Sequence, residues 1–301
     1  MCITQIFIYE HQGSNYNVFD LNFIILCLSV FFIAGAGNII NDYFDVKADK
    51  INKVDKLIIG KYISRRTAIV SNWLFNLSGF LFASYLSYIH SNWLIVIIAF
   101  IFINFLWFYS SVYKRKFLTG NILVALMISS VPLYVLLYNF PFEKFKNIIF
   151  TYRSLQESII FEAVFIISLI AFTINLSREF VKDIADIQGD MKLFAKTIPI
   201  SLGIRKTKII IGATTLLLLI LMSFYIYKIN LYHSLTLNQN DLNNYPQIII
   251  FNALTSSSGL ICIISLILTI STDKRKRYII ASNLLKLAML FGMISMLYIN
   301  K

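Results

Sequence analysis

Eight stretches of the chain, 21–40, 67–89, 92–113, 117–142, 158–177, 209–227, 246–272 and 278–300, stay apolar for about the length of a bilayer-crossing helix. Six contain no Asp, Glu, Lys or Arg, and the other two hold one each, Glu162 and Lys286. In lipid every backbone polar group must be bonded within the protein, so a crossing segment is either a helix or a strand of a closed barrel. Barrel strands alternate polar and apolar residues, and these runs do not. The pattern predicts an all-α integral membrane protein, with residues 1–301 forming a single polytopic domain.

Composition agrees. Of the 301 residues 58% are hydrophobic and only 14% charged, whereas a soluble domain carries about 25% charge. Eleven Gly, four Pro and three Cys are too few for a disordered, collagen-like or disulfide-stapled chain. Cys2, Cys27 and Cys262 stand alone, which excludes a CxxC metal or redox pair. Residues 1–9 are apolar but too short to cross, and no basic residue precedes them as in a signal peptide. They are expected to be the end of an incomplete first helix.

The net charge of +12 is unevenly placed. Alternate connections at 41–66, 114–116, 178–208 and 273–277 hold seven, three, seven and four Lys and Arg, or 21 of the 27. The opposite side holds five. By the positive-inside rule the basic connections face the cytoplasm. The charge then serves topology and contact with anionic lipid, which removes the reason to invoke nucleic acid. His11, His90 and His233 all fall on the outer side.

Eight of the fifteen acidic residues fall in two of those connections. One reads N-D-Y-F-D-V-K-A-D from Asn41 to Asp49, the other R-E-F-V-K-D-I-A-D-I-Q-G-D from Arg178 to Asp190. Asp42, Asp45 and Asp49 stand at i, i+3 and i+7, and Asp183, Asp186 and Asp190 repeat that spacing. On a helix each triad lies on one stripe. Four spans separate the motifs, so both emerge on the same face. A single triad of this kind is as often a solvated helix end, but two matched triads on one face point to a site. Hard oxygen donors suit Mg²⁺, which takes one or two carboxylates, water and substrate phosphate. Facing stripes would clamp a diphosphate through the metal and stabilise its departure. Lys47, Arg178 and Lys182 lie among the carboxylates and would hold the same phosphates. Asn38 and Asn41, one helical turn apart, would bind phosphate or orient a ligand, and Glu179, on the second stripe, would orient a basic neighbour.

Both motifs, with I-N-K-V-D-K-L-I-I-G-K-Y-I-S-R-R (Ile51 to Arg66) after the first and M-K-L-F-A-K-T-I-P-I (Met191 to Ile200) after the second, resemble the two signatures of the UbiA family of intramembrane prenyltransferases. The resemblance implies a bundle of nine transmembrane helices around a lipid-open cavity, here eight full spans plus an incomplete first helix. It also implies Mg²⁺-dependent transfer of an isoprenyl group from its diphosphate. The form R-E-x-x-K-D-I-x-D-x-x-G-D…K-T-x-P-I is most like the branch that adds geranylgeranyl to a prenylglycerol phosphate hydroxyl in ether-lipid synthesis. Asp42, Asp45, Asp183 and Asp186 would carry the catalytic metal, with Asp49 and Asp190 as further ligands. Lys56, Lys61, Arg65, Arg66, Lys192 and Lys196 are the cations available to an acceptor phosphate. The implied partners are a prenyl diphosphate, a lipid or aromatic acceptor and the surrounding membrane lipid, with no obligate protein partner. The alternatives are prenylation of an aromatic quinone precursor and, from another class, divalent-cation transport. Transport pathways place ionisable groups within the membrane, whereas these carboxylates sit at span ends.

Overall fold

The computed structural model describes residues 1–12, 18–52, 58–140, 155–192, 194–236, 245–271 and 273–299. The helices are α1 (Cys2–Gln12), α2 (Leu21–Asn52), α3 (Arg65–Ile89), α4 (Leu94–Ser111), α5 (Thr119–Asn139), α6 (Leu155–Lys192), α7 (Ile198–Leu202), α8 (Ile204–Thr236), α9 (Tyr245–Ile270) and α10 (Arg275–Ser295). Short 3₁₀ turns cover Tyr113–Arg115 and Met296–Tyr298. Eight of these helices are long and apolar enough to cross a membrane, one for each predicted span. Residues 1–9 fall within α1, whose Phe7 and Ile8 are fully buried and which packs against α5 and α6.

Burial is inverted relative to a water-soluble bundle. Trp73, Phe100, Ile209, Leu216 and Ile249 point outward, while Ser29, Thr215, Ser258, Ser265 and Thr269 are buried. Lipid tails are as apolar as leucine, so helix association here depends on close backbone approach and interhelical hydrogen bonds. Ser258 Oγ donates to Ala288 O at 2.7 Å and Ser265 Oγ to Ala281 O at 2.9 Å, tying α9 to α10. Asn230 and Asn252 exchange amide hydrogen bonds between α8 and α9 at 3.2 and 3.1 Å. Gln5 and Asn139 do the same between α1 and α5.

Two expected connections are corrected. The segment after residue 40, read as loop, continues helically to Asn52, and that after residue 177 continues to Lys192. The amphipathic stripes themselves explain this. Residues 41–52 and 178–192 contain no proline, and their one glycine, Gly189, ends no helix. Each acidic motif therefore rides on a rigid extension of a transmembrane helix.

α2 and α3 approach closely where they cross at Gly79. Ser29 Oγ donates to Gly79 O at 2.7 Å, and a Cβ on Gly79 would meet Ile33 Cγ1 at 2.6 Å and Ser29 O at 3.0 Å. Gly212 on α8 has nothing within 4 Å of that position. Gly79→Leu is therefore expected to cost about 1–3 kcal/mol through overpacking, and Gly212→Leu close to nothing. Thermal unfolding of the two variants in detergent checks this, and equal midpoints would contradict the packing described.

Candidate active site

α2, α4, α5 and the inner turns of α6 enclose a cavity of about 350 Å³. Its deeper wall is apolar, with Val30, Ile33, Phe102, Leu106, Val124, Ile128 and Val131, and Tyr134 stands at that end. The Tyr134 hydroxyl donates to Ile95 O at 3.0 Å, which satisfies it in an apolar setting. The polar end is lined by Asn38, Asn41, Tyr109, Arg178, Glu179 and Lys182. From Val30 to Asn41 the wall follows α2 for eleven residues, or about 16 Å of helix. The shape is a narrow apolar channel with a charged mouth.

The mouth is organised by α6. Glu179 is buried and accepts from Arg178 Nη1 at 2.8 Å and from Lys182 Nζ at 3.3 Å. One carboxylate thus holds two cations in a low-dielectric wall, as expected of a residue on the second stripe. Arg178 Nε is buried with no hydrogen-bond partner among the described residues. Asp183, one turn beyond Glu179, accepts from Asn121 Nδ2 on α5 at 2.8 Å. Asp186 accepts from Arg275 Nη2 at 3.2 Å, and Arg275 Nε donates to Ala185 O at 3.0 Å.

Facing α6, the first motif is engaged by the turn after α4. Lys114 Nζ donates to Asn41 Oδ1 at 2.8 Å and pairs with the buried Asp45. Arg115 Nη2 donates to Phe44 O at 3.2 Å, and Arg115 O in turn accepts from Lys196 N at 2.8 Å. The two motifs are electrostatic neighbours, since Asp190 feels the charges of Asp45 and Lys114. Tyr109 lines the mouth beside Glu179. Beside the site, hydrogen bonds from Lys208 (2.9 Å) and Tyr278 (2.9 Å) hold the exposed Asp273 carboxyl below its ordinary range.

Of the predicted residues, Asn38, Asn41, Arg178 and Lys182 line the cavity. Asp45, Asp183, Asp186 and Asp190 lie on the mouth's two helices, and Asp42 is exposed one turn from Asp45. The side chains of Lys47 and Asp49 fall outside the described residues, as do Lys56 and Asp55. Among the described residues no three acidic, histidine or cysteine side chains gather closely enough to cage an ion unaided. Lys114, Tyr109, Asn121 and Arg275 were not foreseen. Nothing in their local sequence marks them apart from a positive-side cluster, because their partners lie 62 to 90 residues away.

Residues 8–238 match the UbiA prenyltransferase family, and the chain belongs to that family. Among curated proteins it is 32% identical over 191 residues to the digeranylgeranylglyceryl phosphate synthase of Pyrococcus horikoshii, covering 62% of this chain and 59% of that one. It is 29% identical over 205 residues to the synthase of the same name from Korarchaeum cryptofilum, covering 68% and 65%. The matched region thus spans less than two thirds of these relatives' length. Among solved structures, the apo UbiA homolog of Aeropyrum pernix K1 superposes with a TM-score of 0.64 at 16% identity, over 99% of this chain and 94% of that one. A UbiA homolog of Archaeoglobus fulgidus bound to GPP and Mg²⁺ gives 0.56 at 12% identity, over 98% and 95%. These structural likenesses establish the fold, an intramembrane helical bundle, and the chain is an integral membrane protein.

The Arg178–Glu179–Lys182 knot yields a prediction. Glu179→Gln leaves the buried Arg178 and the half-exposed Lys182 without their counter-charge, a loss of about 2–3 kcal/mol, less than for a fully buried pair because solvent screens Lys182. Adding Arg178→Met should recover part of it, because the two sites are coupled. Unfolding midpoints of the single and double variants decide, and purely additive losses would contradict the knot.

Proposed function

We propose that this chain transfers a prenyl group, geranylgeranyl by likeness to the relatives, from its diphosphate to the hydroxyl of a prenylglycerol phosphate, with Mg²⁺ as cofactor. The observation that carries the reading is the cavity: one narrow channel, apolar in depth, whose mouth gathers amides, cations and carboxylates from facing helices. An isoprenyl diphosphate has that same division. Burial of its tail contributes about 0.8 kcal/mol per CH₂, so the channel fixes the position of the diphosphate by holding what trails behind it.

The donor set fits Mg²⁺. The groups at the mouth are carboxylate and amide oxygens, and neither His nor Cys lines the cavity. An ion that keeps water and takes phosphate oxygens needs only one or two carboxylates at a time, which agrees with stripes that do not close into a cage. Asp42, Asp45, Asp183 and Asp186 would hold the metal, with Asp49 and Asp190 alongside. When bound, the metal supplies positive charge against the departing diphosphate.

The protein's own groups do the rest. Arg178 and Lys182, held by Glu179, bind diphosphate oxygens, and the unpartnered Arg178 Nε gives that cation a further donor. Asn38 and Asn41 add amide donors, and Lys47 a further cation. Behind them the apolar wall excludes water from the allylic carbon; of the aromatic residues that line the cavity, Tyr109 at the mouth offers its face to the developing cation, while Phe102 and Tyr134 lie along the tail. As the diphosphate C–O bond breaks and the ether C–O bond forms, the hydroxyl proton leaves to a base at the mouth.

A second apolar cavity of about 180 Å³, between α1, α5, α6 and α10, shares Ile128 and Val131 with the first. It gives a lipid-tailed acceptor an apolar approach. The 21-to-5 basic bias supports a mouth that opens on the cytoplasmic side.

The test is an assay in membranes or nanodiscs with geranylgeranyl diphosphate, Mg²⁺ and either geranylgeranylglyceryl phosphate or a hydroxybenzoate. Ether product with the first acceptor alone is expected, abolished by EDTA and reduced roughly a hundredfold or more in Asp42→Ala and Asp183→Ala. Product on the aromatic acceptor would move the reading to quinone precursors. Unchanged pyrophosphate release in both variants would end it, and Mg²⁺ flux without transfer would point to a transporter.

A further inference from the structure

The first turn of α5 reaches both acidic motifs through one dipeptide, Gly120–Asn121. Asn121 is buried, and its Nδ2 donates to Asp183 Oδ2 on α6 at 2.8 Å. Gly120 acts on the other motif through contact. A Cβ there would stand 2.8 Å from Tyr113 O and 3.0 Å from Lys114 Cα. Both are backbone atoms of the 3₁₀ turn and cannot swing aside, so only glycine lets that turn lie against α5. The same turn delivers Lys114 to Asn41 and Asp45 on α2. The chain enters α5 through Leu118, which adopts φ +61°, a left-handed conformation uncommon outside glycine. The junction is therefore closely determined by its surroundings.

Neither residue lines the cavity. We propose that Gly120–Asn121 is a positioning element that sets the two carboxylate stripes relative to each other, Asn121 by holding Asp183 and Gly120 by seating the turn that holds Asp45 through Lys114. A neutral amide suits the task. Facing carboxylates repel, and an amide restrains one of them without adding charge or occupying a ligand position. Partners of this kind typically change metal affinity 10- to 100-fold when removed. The inference rests on the Mg²⁺ reading above.

It separates from a purely structural role by what moves. Loss of the amide leaves every ligand in place but frees Asp183 to rotate. Metal affinity should then fall while turnover at saturating Mg²⁺ stays near wild type. The full chain in nanodiscs is titrated with Mn²⁺ and followed by electron paramagnetic resonance, alongside prenyl transfer against Mg²⁺ concentration. Asn121→Leu is expected to weaken Mn²⁺ binding and raise the Mg²⁺ half-saturation about tenfold. Asn121→Gln, which keeps an amide one methylene longer, should recover part of both, and it carries the comparison if Asn121→Leu does not survive extraction. Gly120→Ala and Lys114→Met should not add, because they break the same link. Wild-type Mn²⁺ affinity in Asn121→Leu or Asn121→Gln, with only the unfolding midpoint lowered, would overturn the proposal, as would simple additivity of Gly120→Ala and Lys114→Met. Should the wild type bind no Mn²⁺ and Asp183→Ala retain activity, the Mg²⁺ reading itself fails and takes the inference with it.

Discussion

Charge is expensive in a bilayer, and the structure depends on how α6 carries it. That helix runs through the centre of the bundle and emerges bearing Arg178, Glu179, Lys182 and Asp183 within two turns. Glu179 offsets both cations before they face the cavity, so the wall holds two positive groups without an isolated buried charge. The two cations of α6 that would meet a diphosphate are placed by this one ion-pair knot. Because the motif lies on a continuous helix and not on a loop, its position is inherited from the packing of the whole bundle.

The remaining elements act as braces around that helix. α5 supplies Asn121 and the floor of the channel, α4 supplies the wall and the turn with Lys114, and α10 supplies Arg275. Each brace reaches the acidic stripes from a different direction, and each uses a hydrogen-bonded cation or amide. The apolar channel between α2, α4 and α5 needs no such care, since its lining differs little from lipid. Outside the channel, small residues such as Gly79 and Ser29 let α2 and α3 approach.

Hydropathy was enough to read the eight crossings, because a bilayer imposes one length and one chemistry on each of them. The i, i+3, i+7 spacing of Asp42, Asp45, Asp49 and of Asp183, Asp186, Asp190 was equally plain, being a local helical pattern. Helix ends were less legible: polarity marks where a helix leaves the membrane, not where it stops, so α2 and α6 run twelve and fifteen residues past the expected exits at 40 and 177. Least legible were Lys114, Asn121 and Arg275. Each resembles an ordinary residue at a span end, and only tertiary proximity across the bundle gives it a role. Aromatic residues could not be chosen from 26 Phe and 17 Tyr until the cavity singled out Phe102, Tyr109 and Tyr134.

The central claim is spatial: the diphosphate sits between the stripes of α2 and α6 while its tail descends between α2, α4 and α5. A structure in nanodiscs with Mg²⁺ and a non-reactive prenyl thiodiphosphate tests it most directly. The account predicts phosphate density within hydrogen-bond reach of Arg178 and Lys182, metal against Asp45 or Asp183, and tail density running along Leu106 and Val124 toward Tyr134. Diphosphate bound away from both stripes, or a tail lying wholly outside this channel, would contradict it.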